Sequence, residues 1–206
     1  MHAEAEKFLS ARDSKLAEIV RKAGPCLLKP RRCSPFEALV RAITYQQLNG
    51  TAAETILRRV LSIYGKRFPK PQDLLGTPDE QLRAAGLSRA KTAALKDLSE
   101  KTISGVVPST RSIKTMDEAQ IMERLTAVRG IGPWTVEMLL IFTLGHPDVL
   151  PVTDYGVRKG VALAYGFKDL PSPKELRVFG ERWKPHRSVA AWYMWRVLDF
   201  DDGKPA

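Results

Sequence analysis

The sequence predicts an all-α protein, and two observations carry that reading. Apolar residues recur with the helical period along most of the chain, and the alternating apolar–polar stretches of half-buried strands are nearly absent. No repeat of 20 to 50 residues and no low-complexity segment interrupts the pattern. With 206 residues, the chain can build one sizeable core or two small lobes sharing an interface.

The elements follow in order. Phe36, Leu39, Val40 and Ile43 lie at i, i+3, i+4 and i+7, and Ile56, Leu57, Val60, Leu61 and Tyr64 continue the pattern after a break at Asn49-Gly50. A helix is expected from Ser88 to about Thr102, ahead of Gly105 and Pro108. In "TMDE", Thr115 with Glu118 three residues on predicts a capping box, opening a helix with Ile121, Leu125 and Val128 on its apolar face and its end at Arg129-Gly130. A helix of about ten residues is expected after Pro133, then the extended or looped "LGHPDVLPVTD". Further helices are predicted from Tyr155 to Tyr165, from Ser172 in "SPKE", and from about Arg187 to Leu198.

Charge narrows the partner. The formal net charge is +10 and the isoelectric point is near 9.8, which favours a polyanion. An anionic membrane surface would satisfy the same charge, but no apolar run approaches the roughly 20 residues that cross a bilayer. The N-terminus lacks a basic-then-apolar signal pattern, so an intracellular, non-secreted protein is expected, in cytoplasm or nucleoid if bacterial and in the nucleus if eukaryotic. Cys26 and Cys33 read as reduced thiols, and two cysteines cannot hold a four-cysteine iron–sulfur cluster. His2, His146 and His186 lack zinc-ligand spacing.

The stretch "AVRGIGPWTVEMLL" joins two helices through Gly130-Ile131-Gly132. Such a turn demands close backbone approach or positive φ at both glycines. Pro133 suits the first helical turn, and the remaining first-turn N–H groups, unpaired at the positive end of the helix dipole, would receive a phosphate. Ile131 would tuck inward. A plain helix–turn–helix corner is the competing reading. Twenty residues after Trp134 stands Asp154, before the next helix. It reads as an ordinary N-cap, or as a carboxylate facing a cleft.

At these residues the chain resembles a family. "RLTAVRGIGPWTVEMLL" followed by "VLPVTDYGVRKG" resembles the helix-hairpin-helix, Gly/Pro-rich loop and catalytic aspartate of the HhH-GPD DNA glycosylase superfamily. "SPFEALVRAITYQQLNG" and "ERWKPHRSVAAWYMW" resemble its alkylation-repair branch, the 3-methyladenine DNA glycosylases II, and together the motifs span about residues 34 to 199. The resemblance implies a two-lobed helical fold with a DNA and base cleft between the lobes. One lobe would cover approximately 40–145, including the hairpin at 127–134, and the other approximately 1–35 plus 150–206.

The same resemblance assigns roles. Asp154 would stabilise the sugar cation and orient or deprotonate water. Trp134 and Trp195 would form the base pocket, with Tyr155 and Tyr45 as neighbours and Met138 where some relatives have an aromatic residue; Trp192 and Tyr193 read as core or pocket. Gln47 would plug the gap left by an extruded base and Asn49 would probe the minor groove, with Gln46, Gln47 and Asn49 otherwise a solvated turn. Arg129, Gly130, Ile131 and Gly132 would bind the DNA backbone, and the carbonyls of Thr126, Val128 and Ile131 match a site for a structural Na⁺ or K⁺. No other cofactor is expected.

Lyase members place a lysine where this chain has Trp134, and an indole is no nucleophile. The expected activity is therefore monofunctional excision of alkylated purines from double-stranded DNA by a monomer, without membrane or obligate protein partner. A non-catalytic helix-hairpin-helix DNA-binding protein and a bifunctional glycosylase/lyase remain the alternatives.

Overall fold

The structure, a computed structural model, describes residues 2–201. Among them lie twelve α-helices, a few short 3₁₀ and π turns, and no strand. In chain order these are α1 (Ala3–Arg12), α2 (Ser14–Ala23), α3 (Pro35–Tyr45), α4 (Gly50–Ile63), α5 (Pro71–Gly76), α6 (Asp79–Ala84), α7 (Arg89–Ile103), α8 (Glu118–Thr126), α9 (Pro133–Leu139), α10 (Tyr155–Tyr165), α11 (Pro173–Phe179) and α12 (Arg187–Asp201). The chain divides into two compact units, one formed by Arg32–Leu139 and the other by the segments up to Arg31 and from Leu140 onward.

The Arg32–Leu139 unit is built from helices whose starts the side chains fix. Ser34 Oγ accepts from the Glu37 N–H at 3.1 Å with Pro35 in the first turn, so α3 begins where its apolar stripe begins. That stripe, Phe36, Leu39, Val40 and Ile43, is buried. Asn49 Oδ1 accepts from the Ala52 N–H at 2.9 Å and starts α4 after a four-residue interruption. Ser88 does the same for α7 through the Lys91 N–H at 3.2 Å. Leu57, Val60, Leu95, Leu98, Ile121, Leu125 and Val136 complete this core.

The predicted cap of α8 is corrected. Thr115 belongs to a 3₁₀ turn, Ser112–Thr115, with its hydroxyl donating to the Ser112 carbonyl at 2.9 Å. Asp117 caps instead, accepting from the Gln120 N–H at 2.8 Å while Gln120 Oε1 accepts from the Asp117 N–H at 3.2 Å. The capping box "DEAQ" overlaps "TMDE", and the aspartate took the cap because the threonine was already engaged in the preceding turn. The helix also ends earlier than expected, at Thr126, leaving 127–130 as a turn. The helix after Pro133 has seven α-helical residues and runs directly into a π turn, Leu140–Leu144.

In the other unit, α10 lies against α12 with almost no room between them. A Cβ on Gly160 would stand 2.1 Å from the Met194 carbonyl oxygen, so only glycine permits this backbone approach. The buried Asp13 caps α2 through the Leu16 N–H at 3.1 Å and accepts from the Tyr165 hydroxyl at 2.6 Å and Trp183 Nε1 at 3.3 Å. These bonds tie residues 152 and 170 positions away to the α2 start. Burial, together with the Asp13 carboxylate, pushes the Tyr165 hydroxyl well above its ordinary range. Among the described residues, no helix is long and apolar enough to cross a membrane.

Candidate nucleic-acid interface and site carboxylate

The hairpin between α8 and α9 uses its two glycines differently. Gly130 takes φ +77°, a left-handed conformation that favours glycine. Gly132 does not, and a Cβ built there meets nothing within 4 Å. Of the two ways a turn can require glycine, positive φ therefore applies to Gly130 alone, and the fold itself sets no requirement at Gly132. Bare backbone at Gly132 leaves open room for a group from outside the chain.

The set of open donors is also smaller than expected. The Thr135 and Val136 N–H groups turn back to the Gly132 carbonyl at 3.0 and 3.3 Å, and Ile131 N–H reaches the Val128 carbonyl at 3.0 Å. Arg129 N–H donates to Asp97 Oδ2 at 2.7 Å. Among the described residues, the N–H groups of Gly130 and Gly132 have no acceptor. They bracket Ile131, which is buried and anchors the turn. Two open N–H donors on one short turn are the kind of backbone arrangement that suits an anion.

A second feature of the same unit lies beside this turn. After α3 the chain reverses at Gln46, Gln47 and Leu48, with Gln47 at φ +58°, an uncommon conformation for a side-chain-bearing residue. Gln47 and Leu48 are exposed. Asn49 uses its carbonyl oxygen as the α4 cap. Gln46 Nε2 donates to the Gly130 carbonyl at 2.8 Å, so loop and hairpin touch directly. Sequence reasoning gave Gln46 no such role, because its partner is a backbone carbonyl 84 residues away. Of the predicted pocket residues in this unit, Trp134 is 45% exposed, Met138 is half-buried, and the Tyr45 hydroxyl donates to Glu54.

Asp154 lies in the other unit, on a loop held by α12. Arg187 grips Asp148 through Nε to Oδ1 at 2.8 Å and through a terminal nitrogen to Oδ2 and the Asp148 carbonyl, both at 2.9 Å. Ser188 Oγ donates to the His146 carbonyl at 2.6 Å and accepts from the Val149 N–H at 3.0 Å. The proline-bearing segment is thus pinned before it delivers Asp154, whose own N–H bonds the Pro151 carbonyl at 3.0 Å. Asp154 caps α10 as its position suggests, with Oδ1 accepting from the Val157 N–H at 2.9 Å. The same Oδ1 accepts from Trp195 Nε1 at 2.9 Å. The cap reading of this aspartate therefore holds, and the same carboxylate oxygen also pairs with an indole.

Gly156 makes that pairing fit. A Cβ there would stand 2.8 Å from Trp195 Cδ1 and 3.2 Å from Asp154 Oδ1. Gly156 and Gly160, one turn apart on the face of α10 toward α12, were readable in the sequence as small residues at i, i+4, a spacing that suits close helix packing. Trp195 also packs against Phe142, with centroids 5.5 Å apart and the rings tilted by 31°. Tyr155 is 65% exposed at the start of α10. Trp192 is half-buried with the Arg196 guanidinium 5.4 Å from its ring, whereas Tyr193 is core, its hydroxyl 3.1 Å from the Gly24 carbonyl.

The model of the HhH-GPD superfamily base excision DNA repair proteins matches residues 40–186. DNA-3-methyladenine glycosylase 1 of Schizosaccharomyces pombe is 36% identical over 204 residues, covering 97% of this chain and 89% of that protein. The solved S. pombe 3-methyladenine DNA glycosylase in complex with abasic DNA superposes with a TM-score of 0.85 at 36% identity, over 94% of this chain and 95% of that one. A DNA-3-methyladenine glycosidase from Bacillus halodurans gives a TM-score of 0.87 at 34% identity, over 98% and 93% of the two chains. The chain belongs to the HhH-GPD superfamily of base excision DNA repair proteins.

Proposed function

We propose that this protein is a monofunctional DNA glycosylase that hydrolyses the N-glycosidic bond of alkylated purines, 3-methyladenine and 7-methylguanine among them. The observation that carries the reading is the Asp154 carboxylate fixed by the Val157 N–H and by Trp195 Nε1. It joins an anion to an electron-rich ring. The names of the similar glycosylases support the same substrate class.

The residues divide the work. The open N–H groups of Gly130 and Gly132 hold a DNA phosphate, with Arg129 adding charge, and this contact is independent of sequence. Gln47, already in its unusual backbone conformation, enters the stack as the base leaves, offsetting part of the few kcal/mol that unstacking costs. Asn49 retains its amide N–H groups for the minor groove while its oxygen caps α4. Carbonyls of Thr126, Val128 and Ile131 would hold a monovalent cation against the same phosphate; the Val128 oxygen already accepts one N–H, which leaves it a second lone pair.

Cleavage follows from charge. An alkylated purine such as 3-methyladenine is a cation in DNA, so when the C1′–N bond breaks the base leaves neutral with the bonding pair. The sugar is left as an oxocarbenium ion, and Asp154 stabilises it. Water then forms the new bond at C1′ and gives up a proton to Asp154 or solvent, leaving an abasic site. Aromatic faces at Trp195 and Trp134 favour the cationic base over a neutral one by about 0.5–2 kcal/mol each. Trp134 supplies no amine, so no Schiff base forms and the strand stays intact.

The test is product analysis on methylated duplex DNA. Free 3-methyladenine or 7-methylguanine should appear, strand breaks should form only after alkali, and borohydride should trap no enzyme–DNA adduct. Binding without base release would instead identify a non-catalytic DNA-binding protein, and a trapped adduct would identify a lyase. Sedimentation with and without DNA should give a monomer.

A further inference from the structure

We propose that Gln46 is a positioning residue for base extrusion, and that with one face of α7 it forms a strut fixing the spacing between loop 46–49 and the 127–134 hairpin. The proposal rests on the glycosylase reading, because it names what the spacing is for.

Three residues of α7, at i, i+3 and i+6, reach the two segments. Lys91 Nζ donates to the Thr44 carbonyl at 2.8 Å, at the end of α3 where the loop begins. Its ammonium is held below the ordinary lysine range by burial, as expected for a charge drawn in against the protein. Ala94 lies beneath the hairpin, with its Cβ 3.6 Å from the place a Cβ would take on Gly130. Asp97 accepts the Arg129 N–H at 2.7 Å and is itself held by Lys101 Nζ at 2.7 Å. Spacings of three residues put these side chains along one side of the helix. One helix therefore sets the height of both segments.

Gln46 closes the frame by joining loop and hairpin directly. Its N–H bond to the Gly130 carbonyl fixes one end of the Gly130–Ile131 peptide, and Ile131 N–H to Val128 fixes the other. The peptide plane beside the two open N–H groups cannot turn without breaking one of them. The Gln46 bond lies in water, so it contributes little to stability, yet it links positions 84 residues apart. Its use is geometric: a wedge at Gln47 and a phosphate grip at Gly130 and Gly132 act on one duplex only if their separation is held. Misplacement by about 1 Å can cost about 100-fold in rate.

The experiment compares wild type, Gln46→Ala and Gln46→Glu; the glutamate keeps the length but presents an acceptor to the Gly130 carbonyl. Thermal unfolding, affinity for undamaged duplex, 2-aminopurine fluorescence beside the lesion, and single-turnover base release are measured. Both variants should melt with wild type and bind undamaged DNA within about threefold, while extrusion and release fall about 10- to 100-fold. The release defect should shrink several-fold when the lesion sits opposite an abasic site, where extrusion is easier. Added to Asp97→Ala, Gln46→Ala should cost less than the product of the separate losses.

A wild-type rate in either variant, an equal defect on both substrates, or fully multiplicative losses would overturn the strut. Should wild type release no base, the glycosylase reading fails, and the 2-aminopurine signal still decides the proposal.

Discussion

Trp195 Nε1 donates to Asp154 Oδ1 at 2.9 Å, and the same oxygen caps α10 through the Val157 N–H. Two donors of different origin, one backbone and one indole, fix the orientation of one carboxyl group. The cap is a property of the helix and would exist in any protein. The indole bond is not required by the helix, and it is tolerated because Gly156 leaves room for the ring.

Trp195→Phe keeps an aromatic face while removing the N–H, together with part of the ring. A hydrogen bond to a charged group contributes about 1.5–3 kcal/mol, so base release should slow by roughly 10- to 100-fold in single-turnover assays. Affinity for undamaged duplex should stay near wild type. An unchanged release rate would mean that the indole bond does not position Asp154.

The glycines separate stability from DNA contact. Gly160→Ala places a Cβ against the Met194 carbonyl and should destabilise by about 1–3 kcal/mol or more in urea unfolding. Gly130→Ala must hold an alanine at φ +77° and should cost about 1–2 kcal/mol. Gly132→Ala meets nothing within the chain and should leave stability unchanged or raise it by about 0.4–1 kcal/mol, while weakening DNA binding several-fold. Loss of stability without loss of binding at Gly132 would remove it from the interface.

What the sequence made legible follows the kind of interaction. Local features were readable: Ser172 with Glu175 caps α11, Asp154 caps α10, and Asn49-Gly50 starts α4. Helix periodicity also placed Ile121, Leu125 and Val128 in the core. Competition between overlapping caps was not readable, so Thr115 stood where Asp117 belongs. The α1 helix, with only Ala5 and Leu9 buried, carries too thin an apolar stripe to announce itself. The α2 helix does carry a helical-period pattern in the sequence, with Leu16 and Ile19 buried on one face. Bonds from a side chain to a distant backbone group leave no local pattern, which hid Gln46 on Gly130, Asp97 on Arg129 and Ser188 on Val149.

Acid should loosen the hairpin. Burial alone would raise the Asp97 carboxyl, but the Arg129 N–H and the Lys101 ammonium outweigh it and hold the group below the ordinary carboxylate value of 3.8. A carboxyl lowered in the folded state adds stability above its unfolded pKa and loses it as pH falls through the folded one. Wild type should therefore exceed Asp97→Asn in urea-unfolding stability at pH 7, with the difference closing below pH 3.8. A difference constant with pH would show that the Asp97 charge does not hold the turn.

The most direct measurement is single-turnover release of 3-methyladenine from methylated duplex DNA by wild type and Asp154→Asn, with thermal unfolding alongside. Asparagine caps a helix about as well as aspartate, so the variant should fold and bind DNA like wild type. Loss of the charge facing the sugar cation should slow release by about 100-fold or more. A folded Asp154→Asn protein with the wild-type rate would contradict the assignment of this carboxylate.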